Sequence, residues 1–299
     1  MTARGSIRFA GLVLASLLAG CSSPQPPSSQ PPSTSLPPPT SPASLPAPTG
    51  TSPTVSLPEE YLPGIEANVF LPVDGTAPVP LVVMIPGGAW RTADPSGFAG
   101  LARHLAGAGI MAVTVSVRAA VDGVVYPTPV EDVLCAVGFA AGTAEANRIE
   151  LGSIVLLGHS SGAHLATLAA LAPEDFTPDC AWVTTRADAL VAIAGPYDVA
   201  RDAVAESLFG VAYSADPNLW DSGNPLLKVG LRPDLPVLLI HGEDDTIVPT
   251  SFTTEFGAAL EEAGHRTTVI ILPGANHDDI YSAGVSGDLI VDWVVDLGP

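Results

Sequence analysis

Residues Ser153 to Leu165 read Ser-Ile-Val-Leu-Leu-Gly-His-Ser-Ser-Gly-Ala-His-Leu, and they constrain the fold of this 299-residue chain more than any other stretch. A short apolar run, Ile154–Leu157, meets Gly158-His159-Ser160-Ser161-Gly162, and an Ala/Leu-rich helical pattern over Ala163–Leu171 begins at once. A strand that becomes a helix within so few residues is strained at the turn. Glycines at 158 and 162 suit that turn, because neighbouring elements pack too close there to leave room for a Cβ. The geometry lifts the Ser160 hydroxyl clear of the sheet and aims the N–H of Ser161 at whatever that hydroxyl faces.

From Glu59 onward, other apolar runs repeat the alternation. Strands are expected at Leu81–Ile85, Ile110–Val117, Leu190–Ala194, Val237–Ile240 and Thr268–Leu272, with an edge strand near Glu66–Leu71. Most are continuous Val/Ile/Leu runs, the pattern of parallel strands covered on both faces. Helical patterns lie between them at Phe98–Gly107, Pro129–Ala146, Ala163–Ala172, Phe252–Ala263 and Gly287–Leu297. The expected architecture is one α/β domain over 59–299, a mostly parallel sheet with helices on both faces. The span Tyr197–Leu235 is the one insertion long enough to cover a site, and it makes a small flap at most.

The start of the chain is built differently. Arg4 and Arg8 precede an apolar stretch, Phe9–Leu18, that is too short for a stable membrane span. Leu18-Ala19-Gly20-Cys21 resembles the lipobox of bacterial lipoproteins, which implies a leader over 1–20 and a lipidated Cys21. Residues 22–58 carry thirteen of the 31 prolines, and no charged residue appears between Arg8 and Glu59. Such a segment favours extended polyproline II and reads as a linker. The expectation is an extracytoplasmic protein anchored to the cell membrane by lipid. With 11 Lys and Arg against 31 Asp and Glu, the net charge of -20 argues against a nucleic-acid partner or an anionic membrane face.

Three further stretches follow expected strands: Ile85-Pro86-Gly87-Gly88-Ala89-Trp90, His241-Gly242-Glu243-Asp244-Asp245-Thr246-Ile247-Val248-Pro249, and Pro273-Gly274-Ala275-Asn276-His277-Asp278. Together with the serine turn they resemble the α/β-hydrolases, in particular the carboxylesterase branch with its feruloyl-esterase-like, acetyl-ester and arylformamidase enzymes. The resemblance runs from Leu62 to Leu297, and the order Ser, Asp, His is that of this fold. It implies a serine hydrolase acting on a small-molecule ester through an acyl-enzyme, without a cofactor or a metal. Ser160 is then the nucleophile, His277 the base and Asp245 the carboxylate that holds the imidazole. Asp244 and Asp198 stand as rivals to Asp245. The same pattern puts the oxyanion donors at Gly88, Ala89 and Ser161. One departure is Pro86, where related esterases often carry His; proline removes an N–H and an imidazole able to brace the loop.

The other histidines invite plainer readings. His241 orients the Asp245 turn, His159 and His164 flank the nucleophile without acting, and His104 and His265 are surface or packing residues of helices. With Cys21 lipidated, Cys135 and Cys180 remain as an even pair, which outside the cytoplasm suggests a disulfide. Trp90, Tyr197, Trp220 and Tyr281 either line an aromatic wall or belong to the core. Short acyl or aromatic esters are the expected substrates, and a monomer the expected state. Amide or formamide hydrolysis, peptidase action and a non-catalytic binding role remain as alternatives, because a fold does not fix a function.

Overall fold

The computed structural model describes residues 53–298 apart from position 57 and positions 74–77. The expected leader, the lipidation site Cys21 and the linker as far as residue 52 lie outside the described residues.

The sheet begins ahead of the boundary expected at Glu59. Strands β1 (Thr54–Val55) and β2 (Glu59–Leu62) both pair antiparallel with β3 (Ile65–Leu71). Then come β4 (Val79–Ile85), helix α1 (Ala99–Gly107), β5 (Met111–Val115), α2 (Thr128–Ala146), β6 (Leu151–His159) and α3 (Ser161–Leu171). After β7 (Ala189–Ile193), the insertion carries only short pieces, among them α4 (Glu206–Phe209) and α5 (Pro217–Ser222). Strand β8 (Val237–Gly242), α6 (Ser251–Glu262), β9 (Thr267–Leu272) and α7 (Asp288–Asp296) complete the order. The nine strands form one sheet in the order β1-β3-β5-β4-β6-β7-β8-β9, with β2 beside β3. From β5 to β9 every pairing is parallel.

Two apolar cores explain why the central strands do not alternate. Leu81, Val83 and Ile85 of β4 pack with residues of α2, α3 and α6 on one face. Val82 and Met84 of the same strand pack with α1 and α7 on the other. The same division runs through β6, where Ile154 and Leu156 face one core and Val155 and Leu157 the other. A strand buried on both faces has no solvent side to encode. Helix α3 is extreme, with every residue buried against β6, β7 and α2. Cys135 on α2 and Cys180 beyond α3 form a disulfide across 45 residues.

This topology brings four connections to the carboxyl ends of parallel strands, where open α/β sheets place their ligands. They follow β4, β6, β8 and β9, and they carry the residues singled out from the sequence.

Candidate active site

Ser160 sits in the turn between β6 and α3 with φ 54 and ψ -125, a conformation rare for any residue with a side chain. The turn survives because it is clamped. The Ser160 N–H donates to Ile193 O on β7 at 2.8 Å, and Ser160 O accepts the N–H groups of Ala163 and His164. A Cβ on Gly158 would lie 2.3 Å from Gly162 O, and one on Gly162 would lie 2.3 Å from Ile85 O. Both glycines are therefore steric requirements of the strand-turn-helix unit.

Side chains far apart in sequence meet at Ser160. His277, on the connection after β9, has Nε2 3.0 Å from Ser160 Oγ and Nδ1 2.6 Å from Asp245 Oδ2. An ionised carboxylate only accepts, so Nδ1 carries the proton and Nε2 is left to accept from the serine hydroxyl. Asp245 Oδ1 accepts the N–H groups of Ile247 and Val248, each at 2.8 Å. Burial pushes the Asp245 carboxyl up, but hydrogen bonds from His277, Val248 and Ile247 outweigh it and hold the pKa below the usual carboxylate value. Asp244 is exposed, and Asp198 is engaged by Asn224 and Arg201; neither rival reaches the imidazole.

Two more histidines brace this group without touching the serine hydroxyl. His241 is fully buried; its Nε2 lies 2.9 Å from Val248 O and 3.1 Å from Asp245 Oδ2, while its Nδ1 accepts from the Thr253 hydroxyl at 2.6 Å. It therefore ties the Asp245 loop to α6, as its place in the sequence implies. His159 donates from Nε2 to the backbone oxygen of His277 at 2.9 Å, and its ring packs on those of His277 and Tyr281. Burial, reinforced by the neighbouring His277, pushes His159 down to about 3, so it stays neutral.

A cleft of about 340 Å³ opens over Ser160. Gly87, Gly88 and Ala89 form one side, Phe98, Tyr281 and Ile247 supply apolar surface, and Asp94 and Asp278 stand at it as exposed carboxylates. No described group accepts from the N–H of Gly88, Ala89 or Ser161, which leaves three unpaired donors in the loops around Ser160. Gly88 and Ala89 line the cleft itself, whereas Ser161 is buried and lines a small cavity behind the loop. Among the described residues, no group of three His, Cys, Asp or Glu side chains is placed to hold a metal ion.

The aromatic wall differs from its sequence outline. Tyr281 does line the cleft, but Trp90, Tyr197 and Trp220 are core residues that do not reach it. Phe98 takes their place, stacked edge-on against Tyr281. None of the described residues from 197 to 235 lines the cleft, so the insertion is a buttress on its flank and not a cover. Phe98, Asp94 and Ile247 escaped sequence reasoning; only the closeness of the first two to the Gly-Gly loop pointed to them. His265 lies past the end of α6, not within it, and packs with Nδ1 3.2 Å from Leu235 O and Nε2 2.8 Å from Val229 O. His104 is on α1 and pairs with Asp288 at 2.9 Å.

A mostly parallel sheet of this order, with a serine in a strained turn after its central strand, is that of an α/β-hydrolase. Solved structures share the fold: a truncated carbohydrate esterase from gut microbiota superposes with a TM-score of 0.72 at 22% identity, covering 83% of this chain and 97% of that one. A propionate-bound esterase, Est2 of Thermogutta terrifontis, gives 0.67 at 20% identity, covering 84% and 96%. The family model BD-FAE matches residues 67–260, and the chain belongs to that family. The match takes in Ser160 and Asp245 and stops short of His277.

Curated relatives agree in kind. A probable isoprenylcysteine alpha-carbonyl methylesterase of Oryza sativa is 27% identical over 229 residues, 72% of this chain and 55% of that protein. Esterase LipQ of Mycobacterium tuberculosis is 28% identical over 235 residues, 73% and 54%. The chain spans about half the length of the curated relatives it matches.

Proposed function

We propose that this protein is a serine carboxylesterase that cleaves short-acyl or aromatic esters through an acyl-enzyme on Ser160. The observation that carries the reading is the continuous hydrogen-bond chain from Ser160 Oγ through His277 to Asp245, at 3.0 and 2.6 Å. His277 Nε2 takes the serine proton as Oγ attacks the ester carbonyl, and Asp245 stabilises the imidazolium that forms. The oxyanion accepts from the N–H groups of Gly88, Ala89 and Ser161, already free of other partners. The imidazolium then gives its proton to the departing alkoxide. Water, activated by the same imidazole, attacks the acyl carbonyl and restores the serine. The names of the curated relatives, all esterases or methylesterases, support this reading.

A cleft of about 340 Å³ walled by Phe98 and Tyr281 accepts a short chain or one ring. The test is a p-nitrophenyl ester series with wild type and Ser160→Ala, paired with fluorophosphonate labelling. The expected result is fastest turnover of short or aromatic acyl groups, with Ser160→Ala losing both turnover and label. Rates that climb steadily beyond about eight carbons contradict the acyl preference; labelling without turnover contradicts the enzyme reading.

We propose further that the domain is held outside the cytoplasm through a lipid on Cys21. Partitioning into a detergent phase is expected for the full chain and is expected to vanish with Cys21→Ser; partitioning that persists contradicts the anchor.

A further inference from the structure

The loop that would bind the oxyanion is strained. Ala89 and Trp90 both have left-handed backbones, φ 54 and φ 57, directly after Gly88 at φ 152. Non-glycine residues stay in that region only when the surroundings over-determine them. Pro86 starts the loop and brings no side-chain donor. The restraint must come from elsewhere.

It comes from a buried pair of hydrogen bonds. The Trp90 indole Nε1–H donates to His164 Nδ1 at 3.2 Å, with the two rings edge to face at 5.2 Å between centroids. His164 lies on α3, one turn past the nucleophile, and is fully buried. Its Nε2 is 2.9 Å from the backbone oxygen of Gly223, the residue that ends α5 in the insertion. A carbonyl only accepts, so Nε2 carries the proton and Nδ1 keeps the lone pair that the indole requires. Burial pushes His164 down to about 4, and the ring stays neutral and able to play both parts. The insertion thus fixes the tautomer of His164, and His164 fixes Trp90.

We propose that His164 is a positioning residue for ester hydrolysis, holding the Gly88–Trp90 loop in its oxyanion-binding shape through Trp90, with Gly223 of the insertion setting its tautomer. The inference rests on the esterase reading above. Other restraints bear on the loop, such as Ala120 N–H donating to Trp90 O at 3.0 Å and Arg91 to Ser207 Oγ at 3.0 Å. Among the described hydrogen bonds, only the indole bond ties it to the helix that follows the nucleophile. The insertion, on this account, is a strut for the oxyanion loop.

The experiment uses the full chain with Trp90→Phe, His164→Leu, His164→Asn and the double variant Trp90→Phe/His164→Leu. Steady-state constants on a short p-nitrophenyl ester are measured beside the inhibition constant of a trifluoromethyl ketone, which mimics the tetrahedral adduct. Trp90→Phe keeps a flat ring and removes the donor; kcat is expected to fall about tenfold or more with KM within about twofold. His164→Asn keeps an acceptor near the position of Nδ1 and is expected to recover most of the loss seen in His164→Leu. Ketone affinity is expected to fall in step with kcat/KM, and the double variant to be no worse than the worse single one. Should His164→Leu fail to fold, Trp90→Phe and His164→Asn still decide the matter. A folded Trp90→Phe enzyme with unchanged kcat and ketone affinity overturns the proposal, as does a loss confined to melting temperature. A wild type without turnover or label overturns the esterase reading instead, so the two failures are told apart.

Discussion

Asp245 Oδ2 has no exposed surface in its pairing with His277, yet the carboxyl is held ionised by donors on both of its oxygens. Its folded pKa lies below the free value, so the stability it contributes is present above the unfolded pKa and is lost as pH falls through the lower folded one. Asp245→Asn keeps the shape and reverses the hydrogen-bond logic, because an amide N–H facing Nδ1 favours the tautomer with its proton on Nε2. That tautomer cannot accept from Ser160. The expected result is a fall in kcat of about 10³- to 10⁴-fold with fold retained, checked by steady-state kinetics beside circular dichroism. At this scale the sequence motifs singled out Ser160, Asp245 and His277, and the structure brings these three side chains into hydrogen-bond contact. The sequence showed His164 only as a flanking residue, because the partners that its ring nitrogens meet, Trp90 and Gly223, lie 74 and 59 residues away.

Among the elements, the strand-turn-helix of β6 and α3 was the most readable. Glycines with no room for a Cβ and a doubly buried strand both leave marks in composition. The pairing of β1 and β2 with β3 left none, since Glu59 and Glu60 are exposed and Thr54–Val55 is only two residues long. The insertion was misleading for a different reason. Its length suggested a cover, while its aromatic residues serve to fasten it: Trp220 stacks on Phe209, and Phe209 packs against Tyr126. The disulfide joins α2 to the segment after α3 and closes 45 residues. Replacing both cysteines by serine is expected to lower stability by about 3–4 kcal/mol, read as a shift in the urea midpoint. An unchanged midpoint contradicts a stabilising cross-link.

For the whole molecule, two properties set its response to solution conditions. His159 and His164 are buried neutral, with pKa values pushed from 6.5 down to about 3 and about 4. The unfolded chain binds protons at both below about pH 6.5 and the folded chain does not, so stability falls as pH drops from about 6.5 toward 4. The loss amounts to a few kcal/mol, roughly 3 for each residue, from the size of the shifts. Thermal melts across that range check it, and a melting temperature that rises toward pH 4 contradicts it. The second property is charge. A net charge of -20, with Asp94 and Asp278 at the cleft and no Lys or Arg among its described lining, repels anionic substrates. A hemisuccinate ester is expected to show kcat/KM about fivefold or more below its neutral match, with the gap narrowed by salt and by Asp278→Asn. Equal rates for the two esters contradict that discrimination.

The central claim is that the hydroxyl of Ser160 carries the acyl group during turnover. Peptide mass mapping of wild-type protein, acid-quenched while it hydrolyses p-nitrophenyl acetate, reads this directly. One acetyl group on Ser160, absent from Ser160→Ala, is the predicted result; turnover with no acyl group there, or with the group on another residue, contradicts the account.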